Sequence, residues 1–150
     1  MTEQNLYPAG KVYLGADEVA FEVKGSIKDY LETLGYLVID LGVFDVEEVA
    51  DVPTLAREVA EKVLENTDAC TDSDDHDSHI HGCSAYGILI NSTGVGMLMS
   101  VSKLEGIHAV LCANVEMAED ANSKKSNVLC LGIENTNFEQ LKDIIKAFLK

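Results

Sequence analysis

The stretch from Tyr86 to Gly96, with the sequence YGILINSTGVG, decides the fold class of this chain. Its apolar run at Ile88–Ile90 predicts a buried parallel strand, and Val95 to Leu104 predicts the helix that follows it. Between the two, glycines let the backbone approach a ligand closely, and the N–H groups at a helix start attract an anion. The junction therefore predicts a loop that binds phosphate or an oxyanion, although it offers no side chain that can move a proton.

Strands and helices alternate along the rest of the chain. Apolar residues at positions 23, 27, 30, 31 and 34 follow the 3.6-residue period of one helix face, and Gly35 ends that helix. Asp51-Val52-Pro53 is typical of a helix start with proline in the first turn. The alternation predicts a single α/β domain over residues 1–150, a three-layer doubly wound sandwich with a five-stranded parallel sheet. The predicted strands are Val12 to Gly15, Leu37 to Gly42, Tyr86 to Asn91, His108 to Cys112 and Asn127 to Gly132, and the last two helices begin near Glu116 and cover Phe138 to Leu149.

Composition narrows the classes of partner. A formal net charge of −15, from 26 acidic and 11 basic residues, argues against nucleic acid and anionic membranes. No apolar run approaches the length of a membrane span and the first ten residues are polar, so we expect a cytoplasmic protein. Cys112 and Cys130 lie in apolar runs, where free cysteine is usually a small core residue. Because the net charge is strongly negative, any site for an anion must be local, built from helix starts and a few lysines.

A polar, acidic segment from Asn66 to Ala85 interrupts the alternation. Histidine and cysteine side chains there suit zinc or a related metal, but their spacing fits no standard zinc pattern. The composition favours a solvated, disordered insertion. We therefore predict no metal and no other cofactor, and any metal that did bind would use the histidines first. The segment contains five aspartates, with His76, His79, His81, Cys70 and Cys83.

With its elements in this order, the chain resembles the sugar-phosphate isomerase family of ribose-5-phosphate isomerase type B and the galactose-6-phosphate isomerase subunits. The resemblance runs from about Lys11 to Leu149, interrupted by the acidic segment, and implies the same fold. Family members interconvert aldose and ketose phosphates through an enediolate. The matching pieces are GADEVAFEVKGSIKDYLETLGYLVIDLGVF (Gly15 to Phe44), the DVP helix start with REVAEKV (Arg57 to Val63), GILINSTGVGM (Gly87 to Met97), KLEGIHAVLC (Lys103 to Cys112) and NVLCLG (Asn127 to Gly132).

The resemblance also implies which positions would carry the chemistry. Asp17 matches the aspartate of the family's Gly-x-Asp-His pattern, but Glu18 stands where histidine is usual. Asn91 stands in place of the cysteine that takes the proton from carbon, and an amide has no useful basicity. In the glycine-rich pattern that follows, Ser92 replaces the first glycine, whereas Thr93, Gly94 and Gly96 match.

Further family positions differ in this chain. In the family, arginines hold the phosphate of the substrate, and each guanidinium group can bond two phosphate oxygens at once. A lysine reproduces this contact poorly. The differing positions are Val52 for a tyrosine, Met97 for a glutamate base, Ala113 for a histidine, Ser123-Lys124 for a His-Asn pair, Glu134 for an arginine, and a last residue, Lys150, that precedes the family's Gly-Gly-Arg-His tail.

Three functions remain open. In the favoured one, the protein keeps the fold with weak or lost catalysis and works as a companion subunit or a sugar-phosphate-binding module. In the second, it is an active isomerase with Asp17 or Glu18 as a substitute base, although an acidic residue at a helix start is favourable by itself. In the third, the acidic segment binds a metal or a basic partner.

The candidate site and assembly follow from the resemblance. Because family sites are shared between subunits, it implies a homodimer or higher homo-oligomer, or a hetero-oligomer with a related chain. The expected ligand is a sugar phosphate or a similar small anion. The candidate catalytic residues are Asp17, Glu18, Asn91 and Thr93, and the candidate ligand-binding residues are Ser92, Gly94, Val95, Gly96, Lys103 and Asn114.

Overall fold

The computed structural model describes residues 10–71, 85–134 and 136–150. Strands and helices alternate through these ranges, as predicted. Among the described residues, no helix is both long enough and apolar enough to span a membrane. The strands are β1 (Lys11–Ala16), β2 (Leu37–Asp40), β3 (Ala85–Asn91), β4 (Ala109–Leu111) and β5 (Val128–Gly132), and the helices are α1 (Phe21–Thr33), α2 (Val52–Thr71), α3 (Val95–Val101), α4 (Val115–Ser123) and α5 (Phe138–Leu149).

The five strands form one parallel sheet in the order β2-β1-β3-β5-β4. In the register, Ala16 pairs with Ile90 and Asn91 pairs with Gly132, so β1, β3 and β5 end at nearly the same height. The chain moves outward from β1 to β2 and then returns to the other side of β1 to form β3. Parallel sheets bind ligands at such a reversal, outside the carboxyl ends of the strands.

Helices cover both faces of the sheet, which confirms the doubly wound prediction. Residues such as Leu14 and Ile88 point to the layer formed by α1, α4 and α5. The alternate residues, including Tyr13 and Leu89, point to the layer formed by α2 and α3. Since strand side chains alternate between faces, each strand supplies both cores. The residues that follow the strands are thereby fixed at one edge of the sheet.

A buried ion pair holds the connection between β2 and α2. Lys24 on α1 is only 2% exposed, and its Nζ lies 2.9 Å from Oδ1 of Asp40. The ammonium also donates to the carbonyl of Val43 and lies 5.4 Å from the ring centroid of Phe44. Asp40 accepts a second hydrogen bond, from the N–H of Gly42 at 2.9 Å. These contacts fix the connection where it leaves the sheet.

Several predicted boundaries were wrong by a few residues. The helix after β3 ends at Val101 rather than Leu104, because the chain turns at Gly106, whose φ is +88°, before entering β4. The second strand stops at Asp40, since Gly42, with a φ of +117°, turns the chain away. Strand β4 excludes His108, whose N–H instead donates to the side chain of Asn127 at 2.8 Å.

The acidic segment does not interrupt the helices as early in the chain as predicted. Residues 66–71 continue helix α2, which ends at Thr71. The side chain of Asn66 accepts a hydrogen bond from Lys11 Nζ at 3.2 Å and donates one to the Lys62 carbonyl at 2.9 Å, so it belongs to the helix surface. Residues 72–84, with the three histidines that a bound metal would use first, lie outside the described part of the chain, so the prediction of no metal there stays a prediction.

Candidate active site

The candidate site lies where β1 and β3 end. The backbone N–H of Asp17 donates to the carbonyl of Ile90 at 3.3 Å, so Asp17 follows β1 directly beside the end of β3. Asn91 is the last residue of β3. The structure thus brings together two of the predicted catalytic residues, Asp17 and Asn91, at the reversal of the sheet.

Asp17 is a buried carboxylate. The residue is 9% exposed, and its Oδ1 accepts a hydrogen bond from the N–H of Ala20 at 3.1 Å. Burial raises the pKa of the Asp17 carboxyl above its ordinary value; the Ala20 N–H opposes this shift, and the neighbouring charge of Glu18 adds to it. The group therefore supports the start of α1, and it is also a better proton acceptor than an ordinary aspartate.

The side chain of Glu18 makes a different contact. Its Oε2 accepts a hydrogen bond from the backbone N–H of Ala50, at 3.0 Å, in the connection before α2. This bond lowers the pKa of the Glu18 carboxyl. The residue at the family's histidine position therefore ties the end of β1 to the β2–α2 connection, and its basicity is reduced.

Asn91 shapes the loop that follows β3. Its Oδ1 accepts a hydrogen bond from the N–H of Gly94 at 2.5 Å. A Cβ on Gly96 would lie 3.5 Å from the Nδ2 of Asn91, so the amide nitrogen faces that glycine. The Asn91 side chain therefore organises the backbone between β3 and α3.

Thr93 and Gly94 lead into α3. The residue that caps the helix is Gly94, with a φ of +81°, rather than Thr93. The Thr93 hydroxyl still accepts a hydrogen bond from the N–H of Val95 at 3.3 Å. Of the described residues, none accepts a hydrogen bond from the backbone N–H of Gly96. The loop therefore keeps an N–H group available for a ligand.

Strand β5 supports this loop through a contact that the sequence analysis missed. A Cβ on Gly132 would lie 2.5 Å from the carbonyl oxygen of Thr93, so the two backbones are in direct contact. The pairing continues past the strands, because Ile133 N–H donates to Asn91 O at 3.1 Å and Glu134 N–H to Ser92 O at 3.0 Å. The glycine that ends the apolar run of β5 was the available signal for this close approach.

A cavity of about 150 Å³ opens between this loop and β5. Ser92, Thr93 and Thr136 contribute hydroxyl groups to its lining, but Thr136 donates its own hydrogen to the carbonyl of Gly132 at 2.8 Å. Burial raises the pKa of the Cys112 thiol to about 11, so this thiol stays protonated and is a poor nucleophile. The charged lining residue is Glu134. The full lining is Ser92, Thr93, Leu111, Cys112, Ala113, Gly132, Glu134 and Thr136.

Neither of the two remaining candidate residues lines this cavity, although Asn114 directly follows Ala113, which does. Asn114 precedes α4, and its side chain accepts the N–H of Met117 at 2.8 Å, which is a helix cap. Lys103 lies in a separate groove with Arg57. Within the described ranges, no cluster of histidine, cysteine or acidic side chains has the arrangement of a metal site.

Comparison with known proteins identifies the family. The Ribose/Galactose Isomerase family matches residues 12–72 and 76–150. The chain belongs to that family. The resemblance read from the sequence is thereby confirmed, and so is the α/β fold that it implied.

Solved structures of the family share the fold. Ribose-5-phosphate isomerase B from Mycoplasma genitalium, with bound ribulose-5-phosphate, superposes with a TM-score of 0.80 at 29% identity, covering 96% of this chain and 86% of that one. A ribose-5-phosphate isomerase from Thermotoga maritima gives 0.77 at 32% identity, covering 93% and 86%. The galactose-6-phosphate isomerase subunit LacB of Clostridium acetobutylicum is 29% identical over 140 residues, 93% of this chain and 71% of that protein. The chain is therefore similar to both branches of the family.

Proposed function

We propose that this member of the Ribose/Galactose Isomerase family binds a sugar phosphate or a similar small anion with weak or lost catalysis, as a companion subunit or a binding module. The observation that carries the proposal is Asn91 at the end of β3. An amide cannot take a proton from carbon, and its oxygen already accepts the Gly94 N–H. The residue at the base position thus supports the binding loop without supplying a base.

The neighbouring residues support the same proposal. The carboxylate of Glu18 is bonded to Ala50, and its lowered pKa makes it a weaker base. Ala113 has no polar side chain, and Glu134 places a negative charge beside the cavity instead of a phosphate-binding arginine. A loop that binds an anion through backbone N–H groups needs none of these side chains.

A second candidate function is isomerase activity with Asp17 as the base. Its pKa is raised by burial, which makes it a stronger proton acceptor than an ordinary aspartate, and it follows β1 beside the end of β3. In this mechanism Asn91 would serve as a hydrogen-bond donor to the enediolate oxygen. Against it, one oxygen of Asp17 is already bonded to Ala20.

We further propose that the protein forms dimers, with itself or with a related chain. Apolar side chains are exposed on the connection after β2, where Phe44 is 66%, Val46 57% and Val49 79% exposed. Exposed apolar groups of this kind favour a protein partner. A similar protein, LacB, is named as a subunit of an isomerase. A cytoplasmic location remains part of the proposal.

An isomerisation assay combined with a binding measurement tests these functions. The purified protein is incubated with ribose-5-phosphate and with galactose-6-phosphate, and binding of ribulose-5-phosphate is measured by calorimetry. Saturable binding without turnover supports the binding module. Turnover at ordinary enzyme rates that is abolished by Asp17→Asn, and kept by the exposed control Glu22→Gln, supports the second candidate and rejects the first. If neither binding nor turnover is seen, both candidate functions are rejected for the chain alone.

A further inference from the structure

A second groove lies between α2 and α3, on the helical layer that covers one face of the sheet. Its volume is about 460 Å³, and it is open to solvent along one side. None of its lining residues also lines the cavity beside β5. The lining consists of Pro53, Arg57, Met99, Ser100, Lys103 and Leu104.

Two cationic residues line this groove. Arg57 lies on α2, and Lys103 lies in the turn that follows α3. Helix α2 offers Glu61 one turn after Arg57, a spacing that suits an ion pair, yet within the described part of the chain neither cation has a carboxylate within 4.0 Å. Other surface lysines, such as Lys62, do pair with an acidic neighbour on their own helix. Arg57 and Lys103 therefore line the groove without a carboxylate partner among the described residues.

The rest of the lining provides a suitable frame for a small ligand. The Ser100 hydroxyl donates to the Gly96 carbonyl at 2.7 Å, so the charged side chains supply the donors for a ligand. Pro53, Met99 and Leu104 offer apolar surface, and Met99 is 68% exposed. The site therefore combines a guanidinium fork, a single ammonium and an apolar floor.

We propose that this groove binds a phosphate monoester, separately from the loop after β3. A compact dianion gains from both cations at once, and the guanidinium of Arg57 bonds two phosphate oxygens in parallel. The net charge of −15 disfavours long polyanions, which would extend over the acidic surface around the groove. The carbon part of the monoester would lie on Met99 and Leu104. The site does not depend on catalysis at Asn91.

Titration with inorganic phosphate and then with ribose-5-phosphate, followed by amide NMR at constant ionic strength, tests the site. We expect saturable shifts at Arg57, Ser100 and Lys103, with tighter binding for the ester because it also covers apolar surface. Arg57→Gln and Lys103→Gln should each weaken binding by at least about five-fold, since each removes a charge-assisted contact. Arg57→Lys should keep more of the affinity than Arg57→Gln. Lys146→Gln, at an exposed position of α5, is the matched charge control and should change nothing.

Three outcomes would reject the proposal. Shifts confined to the Ser92–Gly96 loop would place the anion there, which supports the proposed function but not this groove. An equal loss of affinity in Lys146→Gln and in Arg57→Gln would indicate only a general effect of charge. Titration without saturation would show that the two cations form no site, while leaving the isomerase assay to decide the proposed function separately.

Discussion

The carboxylate of Glu18 and the backbone N–H of Ala50 are joined by a 3.0 Å hydrogen bond that links the end of β1 to the connection before α2. The same connection is held at its other end by Lys24, through Asp40 and the carbonyl of Val43. The exposed Phe44 lies between these two attachments. This connection is therefore held by charged groups as well as by apolar packing of residues such as Val43, which is buried.

The attachment at Ala50 is open to a direct test. In Glu18→Ala we expect the Ala50 amide to exchange with deuterium several-fold faster, because its acceptor is lost. Glu18→Gln keeps a side-chain oxygen and should restore most of the protection. Hydrogen exchange read by NMR provides the measurement, and Glu22→Ala in the first turn of α1 is the control. Equal exchange in all variants would show that the bond contributes nothing to the order of the connection.

Two adjacent carboxylates should give opposite pH dependences of stability. The pKa of Asp17 is raised, so its charge costs stability once the pH rises through the folded-state pKa, and the cost vanishes below its ordinary value of 3.8. The pKa of Glu18 is lowered, so its contribution is present above its ordinary value of 4.5 and is lost as the pH falls through the folded-state pKa.

The free energy of unfolding should therefore change in opposite directions in the two variants. At pH 7 we expect Asp17→Asn to be more stable than the unmodified protein and Glu18→Gln to be less stable. Urea unfolding at pH 7 and again near pH 3.5 measures this, and both differences should shrink at the lower pH. A loss of stability in Asp17→Asn at pH 7 would mean that its contact with Ala20 depends on the charge.

Much of the fold was predictable because the signals were local. The alternation of apolar runs and helix faces predicted the elements, and Gly35, with a φ of +93°, ends α1 as expected. The start of β4 was predicted wrongly because a non-local contact decides it. The N–H of His108 bonds to the Asn127 side chain rather than to the ladder, and spacing along the chain does not reveal such a partner.

The close contact between Gly132 and Thr93 predicts a strong effect of adding one methyl group. Gly132→Ala would place a Cβ 2.5 Å from a backbone carbonyl oxygen, so the loop or the strand must move. We expect a loss of about 1–3 kcal/mol or more in the free energy of unfolding. The matched control is Gly25→Ala on α1, where nothing lies within 4 Å. That change should instead stabilise the protein by about 0.5–1 kcal/mol.

Removing either member of the Lys24–Asp40 pair should be costly, but not equally. The side chain of Lys24 is 3% exposed and that of Asp40 is 21% exposed. Asp40→Asn leaves a buried ammonium without its counter-charge, for which we expect a loss of about 3–5 kcal/mol. Lys24→Met leaves a carboxylate that water can reach, so its loss should be smaller. Thermal and urea unfolding measure both, and a larger loss in Lys24→Met would contradict this ranking.

Restoring a thiol at the end of β3 should not restore catalysis. In Asn91→Cys we expect isomerase turnover to stay far below ordinary rates, even though general-base catalysis is worth about 10²–10⁴ in rate. The substitution also removes the acceptor for the Gly94 N–H, and Glu134 would still stand beside the cavity. Ordinary turnover in this single variant would show that the missing base was the one defect. The assay uses ribose-5-phosphate, with Asn91→Ala as the comparison.

The candidate site was less predictable than the fold. The sequence located Asp17 and Asn91 at the carboxyl ends of the first and third predicted strands. The sheet makes these strands neighbours, an order that the alternation of strands and helices does not specify. It grouped Lys103 with the loop residues, whereas in the structure Lys103 lines a separate groove together with Arg57. The direction of a long side chain after a helix depends on the packing of the neighbouring helix, which no local pattern specifies.

The support of the β3–α3 loop by β5 has a consequence for how this protein can diverge. The position of the loop depends on Gly132 and Gly94, where backbone approaches backbone and a methyl group would collide. Neither glycine carries an atom that could react. The reactive side chains around the loop can therefore change without changing its shape, which is what the proposed binding without catalysis requires.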